Sequence, residues 1–425
     1  MEDHKARTIM VRSRKRSIEM GKVFQTEQLC VMLLLREALT GRKDQREDKA
    51  FPWEQVDSDR FLQLAESHNV LPLLCDVLEE KENRISERIR QSAGAVSKRT
   101  VMQSYHLLFA SRYLLAGLEK AGIAAILLKG VGTASFYPVP ELRKSGDIDL
   151  LLPETDRLEE ACRILEENGC RRSEHQNALH HVQFYTKDGI EVELHTMLAE
   201  PFDNSEINEY LRQSQRAYGE HVARVDAMGV EIPVLSTGYH AYELLLHMLQ
   251  HFLRSGFGLK LLCDWVVLWN SAEAEDPAER EDYLRLVSES KLKGFSDAVT
   301  EICCRFLGLR RDAVQWMGVR CGKDQAAAFM AEVLEAEEFG KSSRDRMVAL
   351  RSASPLEYIR EFHHQMRLNH PRASKCMLWW PVLWIATLAR FLYNNRKIRN
   401  VSARAVLRKA GRRGKVIEKM RLWKK

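Results

Sequence analysis

Paired cysteines are missing from this 425-residue chain. Its nine cysteines, at 30, 75, 162, 170, 263, 303, 304, 321 and 376, include no C-x-x-C, which excludes the usual structural zinc modules. The odd count also argues against a disulfide framework. Most of the nine fall in apolar helical patterns, so reduced, buried thiols of a cytoplasmic protein are expected. No apolar run reaches the ~20 residues a membrane span needs. The uncharged stretch 376–389 (CMLWWPVLWIATLA) is too short and carries three tryptophans. A core or inter-domain helix begun near Pro381 is expected there, ahead of a helix lying in a membrane interface. The apolar run Leu29 to Leu35 is followed by no small-residue cleavage site, so no secretory leader is expected. Fixed-period repeats and low-complexity segments are also missing, which excludes solenoids.

What is present is ordinary for a globular chain: 45% hydrophobic and 29% charged residues, net charge +6. The basic residues cluster in 1–20 and in the last thirty residues, from Arg396 to Lys425. Solvated helix faces or tails are the expected reading of such clusters, with binding of phosphates or anionic lipid as the alternative. Residues 1–20 read as a disordered basic tail and 21–120 as a helical region. Helical patterns include a helix capped within Asp57-Ser58-Asp59 and a long one from Ser86 to Lys120 that ends at Gly122. The pattern changes between 121 and 236. Strands are expected at 123–128, 147–152, 181–186 and 190–195, the last two joined by the turn Lys187-Asp188-Gly189. Helices are expected at 131–137 and 154–168, and a further strand pair at 221–225 and 230–235. From 237 to 425 the chain is helical again. The fold class is therefore α+β: a small mixed β-sheet core between N-terminal and C-terminal all-helical regions.

The chemistry concentrates on Lys144 to Leu152 (KSGDIDLLL). In a strand, Asp147 and Asp149 project from one face while Ile148 and Leu150 point into a core. A pair of like charges held together suits a cation with a preference for oxygen ligands, such as Mg²⁺. The strand 190–195 places Glu191, Glu193 and His195 on one face. The strand 123–128 runs into Lys129-Gly130, where a glycine lets backbone approach a phosphate. Three carboxylates around one or two Mg²⁺ ions suit in-line phosphoryl or nucleotidyl transfer.

These residues carry a resemblance. ILLKGVGTASFYPVPELRKSGDIDLLL followed by GIEVELHTML resembles a family of uncharacterised bacterial nucleotidyltransferases, within the nucleotidyltransferase fold shared with DNA polymerase β. It covers about 123–200 closely and the flanking helices loosely. The resemblance implies that Asp147, Asp149 and Glu193 bind metal and catalyse, with Glu191 as the runner-up for the third carboxylate. It implies that Lys129 and Gly130 face the triphosphate and that Arg143 is the basic residue before the acidic strand. Mg²⁺ (or Mn²⁺) and a nucleoside triphosphate are the implied cofactor and substrate, with a hydroxyl acceptor that the residues do not identify. Val131-Gly132 after Gly130 departs from the Gly-Ser or Gly-Gly of the wider superfamily, and Glu stands where Asp is commoner at 193. Those departures leave two alternatives open: a weak or inactive nucleotide-binding accessory protein, and an enzyme or toxin acting on tRNA, which the mild basic excess does not favour.

Other polar residues are expected to be structural. His247 and His251, at i and i+4 with His240 earlier on the helix, have zinc-compatible spacing but no evident third ligand apart from Asp264 or His240. His180 and His181 are read as strand-start residues. Asp264 within CDWVVLW is expected to be half-buried, and Trp379, Trp380 and Trp384 to sit in a core or interface.

Overall fold

In a computed structural model, the described residues are 23–43, 45–174, 180–202, 204–254, 256–336 and scattered positions from 359 to 418, among them 376–393. The tail expected over 1–20 lies outside these residues, as does much of the helical region expected beyond 336.

The described residues open with helices α1 (Thr26–Thr40), α2 (Ser58–Ser67) and α3 (Glu87–Lys120). The Asp57 side chain caps α2 by accepting from the backbone N–H groups of Asp59 and Arg60, both at 3.0 Å. A short helical turn lies at Gln45–Ala50. The sheet then assembles from β1 (Ile126–Leu128), β2 (Asp147–Leu151), β3 (Arg171–Arg172), β4 (His181–Tyr185), β5 (Glu191–His195), β6 (Val222–Ala227) and β7 (Val230–Leu235). Helices α4 (Gly130–Ala134), α5 (Leu158–Glu167) and α6 (Ser205–Gln213) lie between them. The remainder is helical: α7 (Thr237–Arg254), α8 (Leu259–Asn270), α9 (Pro277–Glu289), α10 (Lys293–Ile302), α11 (Lys323–Ala336) and α12 (Trp380–Tyr393).

The sheet has seven strands in the order β3-β4-β5-β2-β1-β7-β6. It is mixed, as expected: β2 pairs with β5 and β1 with β7 in parallel, and the other neighbours are antiparallel. Alternation gives the sheet two unlike faces. Ile148, Leu150, Val182, Phe184, Val192 and Leu194 pack with Leu107, Leu108 and Leu115 of α3 and with Ala161 and Leu165 of α5. Burial of each large aliphatic there is worth roughly 1.5–3 kcal/mol. A slip of one residue would turn that set outward and bury the carboxylates, so the apolar face fixes the register of the acidic one. A second core joins α1, α2 and the first turns of α3 to α7, α8, α10 and α11, so the N-terminal and C-terminal helices share one interior.

One expectation fails on α12. Only Leu383 and Thr387 of 376–390 are buried, and Trp379 is 57% exposed. The helix presents its apolar side chains to solvent instead of to a core. All nine cysteines are free thiols. Among the described residues no helix is long and apolar enough to cross a membrane.

Candidate active site

β2 and β5 run parallel with Asp147 beside Glu191 and Asp149 beside Glu193. Paired residues share a face, so four carboxylates gather on one patch of sheet. β1 lies on the other side of β2 with Leu128 opposite Asp149, and this brings Lys129 to the same patch. Lys129 has φ +43° and ψ −145°, and Gly130 has φ +53°. Such a conformation is natural for glycine and strained for lysine, and strain of this kind collects at working sites. The Gly130 carbonyl accepts a hydrogen bond from Arg143 Nη1 at 3.0 Å, which fixes the turn.

Asp149 is buried at the centre. Its Oδ2 lies 3.2 Å from Lys129 Nζ, and its Oδ1 accepts from His195 Nε2 at 2.9 Å. Burial pushes its carboxyl up, but the Lys129 charge and the His195 hydrogen bond outweigh that and hold it below the usual carboxylate range. His195 responds in the opposite sense. Burial lowers it, but hydrogen bonds to Asp149 and to Glu193, 3.1 Å away, raise it to about 9, so the ring is charged at neutral pH. Lys129 stays charged as well: burial opposes the charge, and the surrounding carboxylates, Asp149 foremost, more than restore it. Asp147 stands at the mouth, raised by the protein crowded around it and by the charge of Asp149.

The structure separates the two glutamates of β5. Glu193 lines the cleft with Asp147 and Asp149, and its other oxygen lies 3.5 Å from His181 Nε2. Glu191 is hydrogen-bonded by Gln183 and is not part of the cleft lining. Arg143 borders the cleft, but its guanidinium is committed behind it. Nε and Nη2 donate to Asp264 Oδ1 and Oδ2 at 2.7 and 2.8 Å, and Nη1 also donates to Ser145 Oγ at 2.7 Å. Asp264 is fully buried, not half-buried as expected, and also accepts from Tyr137 Oη at 2.6 Å. This pair ties α8 to the turn after β1.

The cleft holds about 240 Å³ and is roofed by α7. Glu243, His247, Gln250 and His251 of that helix line it. Their spacing of four, seven and eight residues puts them on one helical stripe. His247 Nδ1 approaches Lys129 Nζ at 3.5 Å, and the His247 and His251 rings meet edge-on at 4.4 Å. Burial, then the Lys129 charge, lowers both imidazoles, His251 to about 4, so both are neutral at pH 7. They belong to the cleft, which their spacing alone did not reveal. His240 faces away, bonded to Thr133 Oγ1 at 2.9 Å. Glu243, which no sequence motif signals, is 2% exposed, and its Oε2 has no hydrogen-bond partner. Burial raises its carboxyl to about 7 against the pull of Lys129. A two-helix-turn stripe of polar residues on an apolar helix was its only available trace.

Two donor sets among the described residues are compact enough to hold a metal ion: Asp149, Glu193 and His195, and His180, His181 and His195. They share His195 and form one continuous polar wall. A second cavity of about 230 Å³, lined by residues such as Glu37, Leu73 and Leu142, lies apart from this wall.

A family described as "Uncharacterised nucleotidyltransferase" matches residues 54–308, more than half of the chain. No curated protein matches it. Among solved structures, an antigenic nucleotidyltransferase-like protein from Paracoccidioides brasiliensis is similar at 15% identity, covering 46% of this chain and 91% of that one, with a TM-score of 0.27, a likeness too slight to build on.

Proposed function

The chain belongs to the family of uncharacterised nucleotidyltransferases, and from that premise we propose that it moves a nucleoside monophosphate from a nucleoside triphosphate to an acceptor hydroxyl, releasing pyrophosphate. The observation that carries this reading is the parallel register of β2 and β5. It aligns Asp149 with Glu193 and leaves Asp147 at the open end of the same face. A divalent cation suits these residues. Asp149 is engaged at both oxygens, yet each carboxylate oxygen has a second lone pair, and burial and the Asp149 charge raise the accessible Asp147 more than the Lys129 and Lys260 charges lower it. Asp147, Asp149 and Glu193 would hold Mg²⁺ or Mn²⁺, which when bound neutralises phosphate charge and polarises the reacting phosphate.

The protein's own groups supply the rest. Lys129, kept charged by its carboxylate neighbours, is a point charge for the triphosphate. Gly130 allows close backbone approach. His195 holds Asp149 in orientation. Arg143 acts through Gly130 and Asp264 as a positioning residue. The acceptor oxygen bonds to the α-phosphorus, the bond from that phosphorus to the pyrophosphate oxygen breaks, and Glu193 takes the hydroxyl proton. Pyrophosphate release from each nucleoside triphosphate, with a panel of hydroxyl acceptors, tests the reading. Asp149→Ala is expected to lower release by about a thousandfold or more; equal release by both proteins sinks it.

One observation favours a second reading. Asp149 is already neutralised by Lys129 and His195, so the fold stands without a metal. A nucleotide-binding protein without turnover would show calorimetric binding of Mg·ATP and no pyrophosphate from any acceptor.

A further inference from the structure

Charge is divided very unevenly along the chain. Residues 371–425 contain sixteen Lys and Arg and one acidic residue, Glu418, a net of +15; the chain as a whole is +6, so residues 1–370 carry −9. The family match ends at 308, well before this segment. Within it lies α12, preceded by a turn at Met377–Trp379. Pro381 falls in the first turn, where its missing N–H costs no helical hydrogen bond.

One side of α12 is held against the protein. Leu383 and Thr387 are buried, and Trp384 Nε1 donates to His363 Nδ1 at 3.3 Å. At 100° per residue, the opposite side carries Leu378, Val382 and Ile385, flanked by Met377 and Leu388. Leu378 is 89% and Ile385 69% exposed. From Cys376 to Ala389 there is no charged residue, and basic residues lie on both sides: Arg372 and Lys375 before, Arg390, Arg396, Lys397 and Arg399 after. An isolated exposed leucine needs no explanation, but a continuous apolar face does.

We propose that this helix, with the cationic sequence around it, docks the protein on an anionic lipid bilayer, the helix lying in the interface parallel to the surface. The charge complementarity selects the occupant: a run of +15 is drawn to an anionic leaflet, and an aliphatic face flanked by Trp379 and Trp384 suits the boundary between headgroups and acyl chains. Fourteen residues of helix reach roughly 21 Å at 1.5 Å per residue, short of the ~30 Å hydrocarbon core, so the helix lies flat and does not span. A second copy packed back to back on this face would set two cationic segments against each other. An RNA would neutralise the charge but leave the aliphatic side chains in water.

The full chain is floated with vesicles of phosphatidylcholine alone and of phosphatidylcholine with phosphatidylglycerol. Binding to the anionic vesicles at least about tenfold stronger than to the neutral ones is expected. Raising the salt should weaken it, and Leu378→Asp/Ile385→Asp should lower it at least about tenfold. Both substituted positions are exposed, so pyrophosphate release and circular dichroism should match the wild type; this separates failure of docking from failure of the fold or of the proposed activity. Three outcomes overturn the proposal: no preference for anionic vesicles, equal binding by the double variant, or self-association or RNA binding that the double variant loses while vesicle binding is absent.

Discussion

The floor and the roof of the cleft are both crowded with titratable side chains, yet the floor is held ionised and the imidazoles of the roof are held neutral. On the floor, Asp149, Lys129 and His195 are close enough to hold one another ionised. On the roof, burial dominates. His247 and His251 are kept neutral, and Glu243 is raised to about 7. A strand pair in register can place opposite charges within 3 Å, whereas a helix stripe facing inward spaces its residues a turn apart. Ionised groups suit phosphate and metal, and neutral imidazoles suit an uncharged acceptor.

The contrast breaks most severely behind the cleft. Asp264→Asn leaves Arg143 buried without its carboxylate and should cost about 3–5 kcal/mol, read as a lowered urea midpoint. If stability is unchanged, the Arg143–Asp264 pair is not what ties α8 to the Gly130 turn. Within the floor, Glu193→Gln is expected to lower pyrophosphate release at least about a hundredfold, and Glu191→Gln less than about threefold. Reversal of that order would return Glu191 to the site. The roof should matter less. Glu243→Gln is expected to change the rate by under about tenfold and to flatten its dependence on pH near 7, where Glu243 titrates.

Stability against pH gives the smallest effects and the cleanest opposition. His251 is lowered to about 4 in the fold, so only the unfolded chain takes up its proton just below the ordinary 6.5. Its contribution is lost as pH falls from 6.5 toward 4, by about 1 kcal/mol per pH unit. His195 is raised to about 9, so its contribution is complete below 6.5 and lost as pH rises through 9. Urea midpoints measured from pH 5 to 9 should therefore have a shallower acid slope in His251→Gln, with His68, His240 and His247 supplying the rest, and a shallower alkaline slope in His195→Gln. Identical slopes in both variants and the wild type would erase the distinction.

The floor was legible because strand alternation has a period of two: DIDLL and EVELH each declare which side chains share a face. The helix ends were legible where Asp57 and Ser86 mark them. Alternation alone does not separate Glu193 from Glu191, which share that face; the hydrogen bond that engages Glu191 comes from Gln183 across on β4. Arg143 was legible as the basic residue before the acidic strand, but not its partner, because Asp264 lies 121 residues away. Glu243 was missed because one carboxylate in an apolar helix reads as a surface residue until the sheet beneath it is known. The parallel return of β7 beside β1 is likewise a tertiary choice. α12 misled in the other direction: its apolar composition implied a core, and its exposure is now the basis for a docking surface.

The central claim is that the floor, not the roof, binds the divalent cation. Mn²⁺ binding followed by electron paramagnetic resonance addresses it without requiring a known acceptor. Asp149→Asn is predicted to weaken Mn²⁺ binding at least about tenfold, and Glu243→Gln less than about threefold. Wild-type affinity in Asp149→Asn would contradict the account.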